Sequence, residues 1–149
     1  MGAGGGLFAG MYSIGLDTTF RLPRLKDAYL KVGLAFADSK NVYPPEEWGK
    51  NWRNYIPLCI DGIYYFYDNI YVGAGLNYSL RISDDEIPAM GWEAYFGAEV
   101  KLGRGKVFIE AGCAELKRQN KPSFIGGQVI IGHRYDFATI TVVERKKTD

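Results

Sequence analysis

Ile70-Tyr71-Val72-Gly73-Ala74-Gly75-Leu76-Asn77-Tyr78-Ser79-Leu80-Arg81-Ile82 is the stretch from which the fold can be read. Ile70, Val72, Ala74, Leu76, Tyr78, Leu80 and Ile82 fall on one side of a period of two. Tyr71, Gly73, Gly75, Asn77, Ser79 and Arg81 fall on the other. Successive side chains of a strand point to opposite faces, so seven apolar positions at this spacing specify a β-strand with one apolar face. No helical period fits the same residues.

Working outward, Trp92 to Leu102 repeats the pattern, with Trp92, Ala94, Phe96, Ala98, Val100 and Leu102 on one face and Glu93, Tyr95, Gly97, Glu99 and Lys101 on the other. Weaker versions run over Leu7 to Leu22, Ala28 to Ala37, Tyr55 to Tyr67, Lys106 to Leu116, Phe124 to Tyr135 and Ala138 to Arg145, which predicts about eight strands. Short connections such as Asp68-Asn69 and Gly103-Arg104-Gly105 join neighbouring antiparallel strands, because their residues tolerate the positive φ of a hairpin turn. A chain of 149 residues is one domain by size, and its 19 glycines and 11 tyrosines suit a β architecture. The expectation is a single all-β domain over 1–149, an antiparallel up-and-down β-barrel of the transmembrane type, with one helical turn at most, around Glu46 to Trp52.

Alternation alone fits two opposite objects: a soluble barrel with its aliphatic face inside, or a membrane barrel with that face toward lipid. Glycine placement separates them. Gly73, Gly75, Gly97 and Gly112 stand on the polar face, as do Gly33, Ala35 and Ala37 in the Ala28 to Ala37 segment. Glycine weakens a water-facing strand position, but inside a narrow barrel it leaves room for a neighbour's long side chain. The polar face is therefore expected to line the lumen. Its charges, Asp17, Arg21, Lys31, Asp61, Arg81, Glu93, Glu99, Lys101, Glu110 and Arg134, are of mixed sign and are expected to form an interior ion-pair network rather than an open channel. The Ile70 to Ile82 stripe, about 12 steps of roughly 3.3 Å tilted near 40°, rises about 30 Å, enough to cross an outer membrane's apolar band. Phe20, Phe66, Tyr78, Trp92 and Tyr135 lie near strand ends, where interfacial aromatics gather.

Other features exclude function classes. A formal charge of +1, from 18 basic and 17 acidic residues, provides no field to attract nucleic acid. Cys59 and Cys113 fall on non-neighbouring strands with no further Cys or His at metal-ligand spacing, so both are read as free thiols, with no metal and no cofactor. There is no run of 18 apolar residues for a spanning helix. Met1 to Gly6 lacks the basic start and apolar stretch of a signal peptide, so an exported protein is expected here in processed or re-engineered form. The single His133 has no Ser or Asp partner nearby in sequence, and no G-x-S-x-G motif occurs, so no catalytic residue is assigned. Gly103-Arg104-Gly105-Lys106 is a hairpin rather than a phosphate cradle. The connection Asp38 to Asn54 is the most functional-looking segment: Tyr43, Trp48, Trp52 and Arg53 within it form a candidate binding surface for an extracellular partner, the alternative being that Trp48 and Trp52 cap the barrel mouth or anchor in headgroups.

Ile70 to Tyr78, with its aromatic and glycine alternation, and Gly127-Gln128-Val129-Ile130-Ile131-Gly132-His133-Arg134-Tyr135-Asp136-Phe137 together resemble the small eight-stranded outer-membrane β-barrels, the family that includes the membrane domain of outer-membrane protein A. The second segment is similar to that family's closing strand, which ends in an aromatic residue. Two departures stand out. Twelve residues follow Phe137, and the strand count puts both termini on the long-loop side, whereas the family begins and ends on the short-turn side. A circularly permuted arrangement, with Ala138 to Arg145 pairing beside Leu7 to Leu22, would restore the parity. The resemblance implies a bacterial outer-membrane location, membrane lipids as partners, and a structural or loop-mediated adhesion role. Alternatives are a soluble up-and-down barrel holding a hydrophobic molecule against Leu76, Tyr78 and Phe96, and a lipid-modifying outer-membrane enzyme.

Overall fold

The computed structural model describes residues 1–38, 54–81, 90–118 and 121–135. The strands are β1 (Gly2–Phe8), β2 (Met11–Arg21), β3 (Ala28–Asp38), β4 (Asn54–Tyr67), β5 (Ile70–Arg81), β6 (Met90–Leu102), β7 (Gly105–Arg118) and β8 (Lys121–Tyr135). Each pairs antiparallel with the next, and β1 pairs with β8, which closes an eight-stranded up-and-down barrel. Closure leaves no sheet edge with unpaired backbone groups. The strands read as Ile70 to Ile82, Trp92 to Leu102 and Tyr55 to Tyr67 lie within two residues of their expected bounds.

The N-terminal part differs from the expectation. Leu7 to Leu22 is not one strand but two, divided at Ala9-Gly10, whose φ values of 48° and 80° match the paired positive angles of a type I′ hairpin turn. Gly2 to Gly6, which by propensity avoids strands, is most of β1. Tertiary packing overrides propensity here: a Cβ on Gly2 would stand 2.7 Å from Arg134 Cγ and 2.8 Å from Asp17 Oδ1. Only a residue without a side chain fits between those two groups.

The segment Ala138 to Arg145 lies outside the described residues, as does Glu46 to Trp52. The place beside β2 that a permuted arrangement assigns to Ala138 to Arg145 is occupied by β1, with Gly2↔Asp17 through Phe8↔Met11 in register. Met1 and Tyr135 meet at one end of the barrel, where the Met1 amino group donates to the Tyr135 carbonyl at 3.0 Å. The connections at 22–27, 68–69 and 103–104 turn at that same end, and those at 9–10, 39–53, 82–89 and 119–120 join strands at the other.

The alternation resolves in one direction. Ile60, Leu76 and Ile131 are 51%, 52% and 56% exposed, whereas Asp61 and Glu110 are 0% and 2% exposed. Over the middle of the barrel the aliphatic side chains look away from the axis and the charged ones toward it, while Ile63 and Leu116 are buried inside nearer the two ends. Leu76, Tyr78 and Phe96 lie on the exposed outer face. On the outer face, Tyr12, Phe36, Tyr78 and Trp92 lie toward the 39–53 end and Phe20, Tyr64, Phe66, Tyr67 and Tyr135 toward the other, with Ile14, Leu16, Leu34, Leu58, Ile60, Leu76 and Ile131 between.

Candidate functional site in the barrel lumen

The lumen is filled in three storeys. At the end joined through 39–53, Phe8, Ala9, Met11, Ala37, Tyr55, Ala114 and Leu116 form an apolar plug, with Cys59 at its inner margin. At the opposite end Ile63, Tyr71 and Tyr95 pack together with Tyr29 and Tyr65 against them. Charged groups occupy the middle and the tyrosine end.

Glu110, on β7, is the hub. Its Oε1 accepts from Arg134 Nη2 at 2.7 Å and from the Tyr71 hydroxyl at 2.8 Å, and its Oε2 accepts from Lys31 Nζ at 3.2 Å. Lys31 also pairs with Asp61 at 3.1 Å, and the Tyr95 hydroxyl donates to the same Asp61 Oδ2 at 3.0 Å. Arg134 extends the network, with Nε 3.3 Å from Asp17 Oδ1, Nη1 donating to the Tyr71 oxygen at 2.9 Å, and Nη1 3.8 Å from Glu99 Oε2. Lys106 pairs with the other oxygen of Glu99. Rings complete the shell: Lys31 Nζ lies 4.0 Å from the Tyr95 centroid and the Arg134 guanidinium carbon 3.9 Å from the Phe108 centroid. Such charges tolerate removal from water because each cation meets two or more anionic or aromatic partners.

Seven strands, β2 to β8, contribute to this network, and β1 supplies only space. Glycines make the tyrosines fit. A Cβ on Gly73 would fall inside the Tyr95 ring, and one on Gly97 inside the Tyr71 ring. Each ring lies across its neighbour strand's glycine, Gly73↔Tyr95 and Tyr71↔Gly97 being direct cross-strand pairs.

Of the charges read from sequence as one network, Asp17, Lys31, Asp61, Glu99, Glu110 and Arg134 are joined by ion pairs. Glu93 is buried among them but reaches no ion pair in the described residues. Arg21 and Lys101 are a correction: both are exposed at strand ends, where an inward-pointing position opens to solvent, and neither joins the described ion pairs. The side chain of Arg81 lies outside the described part, as do Tyr43, Trp48, Trp52 and Arg53. Sequence reasoning missed Lys106, Tyr71 and Tyr95. The signal was present for the tyrosines, which alternate with the apolar positions and so share the charged face.

A cavity of about 70 Å³ lies in the middle storey on the β1–β3 side, where Gly4, Gly15 and Gly33 supply no side chains to fill it. Lys31, Glu93, Glu110 and Gln128 line it. Cys59 is a buried free thiol on its wall, and Cys113 is a free thiol on the outer face. His133 also lies on the outward side of β8, its ring 4.2 Å from that of Tyr135. Among the described residues no group of three His, Cys, Asp or Glu side chains has metal-holding geometry.

Fold and lumen together define a closed eight-stranded antiparallel barrel with an ion-paired interior and an apolar outer wall. Comparison with protein-family models, with curated proteins and with solved structures gave no match.

Proposed function

We propose that the chain is a small, non-catalytic β-barrel of the bacterial outer membrane, held in lipid by its outer wall and serving a structural or loop-mediated binding role. The observation that carries this reading is the belt of exposed aliphatic side chains around the barrel, bounded by aromatics near both rims. Monomeric soluble proteins seldom expose a contiguous apolar patch beyond about 600 Å², and a belt that surrounds the molecule far exceeds any one docking patch. In water that surface would drive aggregation; in a bilayer it is the solvent-facing side. Strands of 11 to 15 residues from β2 to β8 match the roughly 25 Å apolar band of an outer membrane once tilted. Tyrosine, tryptophan and phenylalanine at both rims suit the headgroup boundary, where an amphipathic ring finds an apolar and a wet side. The partners are then membrane lipids, with an extracellular partner reached through the 39–53 connection.

The test is folding in the presence and absence of amphiphile. The unfolded chain diluted into detergent micelles or lipid vesicles is expected to give β circular dichroism and a gel mobility that changes on heating. A chain that is folded, monomeric and soluble in plain buffer overturns the reading.

A further inference from the structure

We propose that Asp61 and Glu93 share one proton in the folded lumen, carried by the Glu93 carboxyl and accepted by the Asp61 carboxylate, so that one hydrogen bond clasps β4 to β6 across β5. The pair is internal, and its chemistry is the same whatever bathes the outer wall.

Strand register brings the two acids together. Gly75 on β5 is the direct cross-strand neighbour of Asp61 on one side and of Glu93 on the other, so the three residues stand in one row across the sheet. Neighbouring strands lie about 4.8 Å apart, which sets the two acid backbones about 10 Å from each other. Two inward side chains can close that distance only if the residue between them is small. A Cβ on Gly75 would collide with Asp61 Oδ1, so the glycine is what lets the acids meet. The Glu93 side chain hydrogen-bonds that of Asp61 and also meets the Cys59 thiol. Asp61 is 0% and Glu93 3% exposed, so the contact is made out of bulk water.

Donors decide what joins the pair. An ionised carboxylate only accepts, so a hydrogen bond between two carboxyl groups requires that one of them keep its proton. One oxygen of each acid, Asp61 Oδ1 and Glu93 Oε1, meets no donor from another described residue. The titratable or charged groups around the pair are Lys31 on β3, Cys59 on β4, Tyr95 on β6, Glu110 on β7 and Arg134 on β8. Lys31 has three N–H groups; Asp61 Oδ2 and Glu110 Oε2 take two, and the Tyr95 ring lies against the ammonium. Arg134 is committed to Glu110, Asp17 and Glu99. No described cation therefore remains for Glu93.

The two acids consequently differ in role. Asp61 Oδ2 receives both Lys31 and the Tyr95 hydroxyl, which suits Asp61 to be the anion. Glu93 has no ion pair among the described residues and is the acid. An O–H···O⁻ bond is among the shorter and stronger hydrogen bonds, so the proton turns a repulsive pair into a clasp. Without it, two adjacent anions would press β4 and β6 apart over Gly75.

Infrared spectroscopy tests this directly, because the C=O stretch of a carboxylic acid lies above the amide I band and a carboxylate absorbs below it. The full-length chain is folded from urea at neutral pH in whichever of detergent or plain buffer holds it, in water and in deuterium oxide. A single carboxylic-acid band is expected, lowered in deuterium oxide and lowered again when the glutamate side-chain carboxyls carry carbon-13. In Glu93→Gln, which keeps the shape as a neutral amide, the band is expected to be lost while the β amide I band is retained. Absence of an acid band from the folded unmodified chain overturns the proposal. So does a band that ignores the glutamate label, or one that survives in Glu93→Gln. The label is read in the unmodified chain, so the test does not depend on the variant folding.

Discussion

On the β5–β6 side of the lumen, Gly73 lies beneath the Tyr95 ring and Gly97 beneath the Tyr71 ring, so the space the glycines leave is taken at once by a neighbour. On the β2–β3 side, a Cβ on Gly33 would meet nothing nearer than the Leu16 carbonyl oxygen at 3.5 Å. The same residue type on the same inward face thus gives a packed half and a hollow half. The difference lies in the partner. Tyr71 and Tyr95 are long enough to reach across and end in hydroxyls that Glu110 and Asp61 accept from. No such side chain leans on Gly33. Rigid ion-paired packing and an unfilled cavity are therefore two outcomes of one alternation pattern.

Four substitutions probe this contrast and the wall around it, each read by urea unfolding in lipid vesicles. Glu110→Ala removes the anion shared by Lys31, Arg134 and Tyr71 and leaves buried cations short of a partner; a loss of about 3–5 kcal/mol is expected. Leu76→Arg places a charge midway along the outer face and is expected to cost about 2–4 kcal/mol in a bilayer, falling toward zero if that face meets water. Gly73→Val drives a side chain into the Tyr95 ring and is expected to cost about 1–3 kcal/mol through overpacking. Gly33→Ala enters the hollow flank, where the added methyl has room, and should raise stability by about 0.4–1 kcal/mol by restricting the unfolded chain. If Gly73→Val and Gly33→Ala behaved alike, the distinction between the two flanks would collapse.

Much of this architecture was legible in the sequence wherever period two ran unbroken. From Tyr55 to Tyr67 and from Ile70 to Tyr135, the alternation located five strands and the polar face that became the lumen. Glycine on that face pointed the same way, because the space it leaves has value only where long side chains converge. The pattern failed at Gly2 to Phe8, where a strand carries almost no side chains to alternate and is held by the close approach of Arg134 and Asp17. Within the lumen, sign and alternation identified Lys31, Asp61, Glu110 and Arg134. They could not say how high along the axis each residue sits, so Arg21 and Lys101 were included although they emerge at the rims. Lys106 was passed over although it reaches Glu99. Height depends on strand register, which is set by pairing between distant segments rather than by local sequence.

The central claim is that the aliphatic wall faces lipid while the charges face the axis. Cys113 offers a direct probe, since its thiol lies on the outer face between Ala94 and Gly127 in adjacent strands, whereas Cys59 is buried inside. With a nitroxide attached to Cys113 in the vesicle-reconstituted chain, collisions with dioxygen, which concentrates in the acyl region, are predicted to exceed those with a water-soluble nickel chelate. A label that meets the chelate more often than dioxygen would place that wall in water and contradict the account.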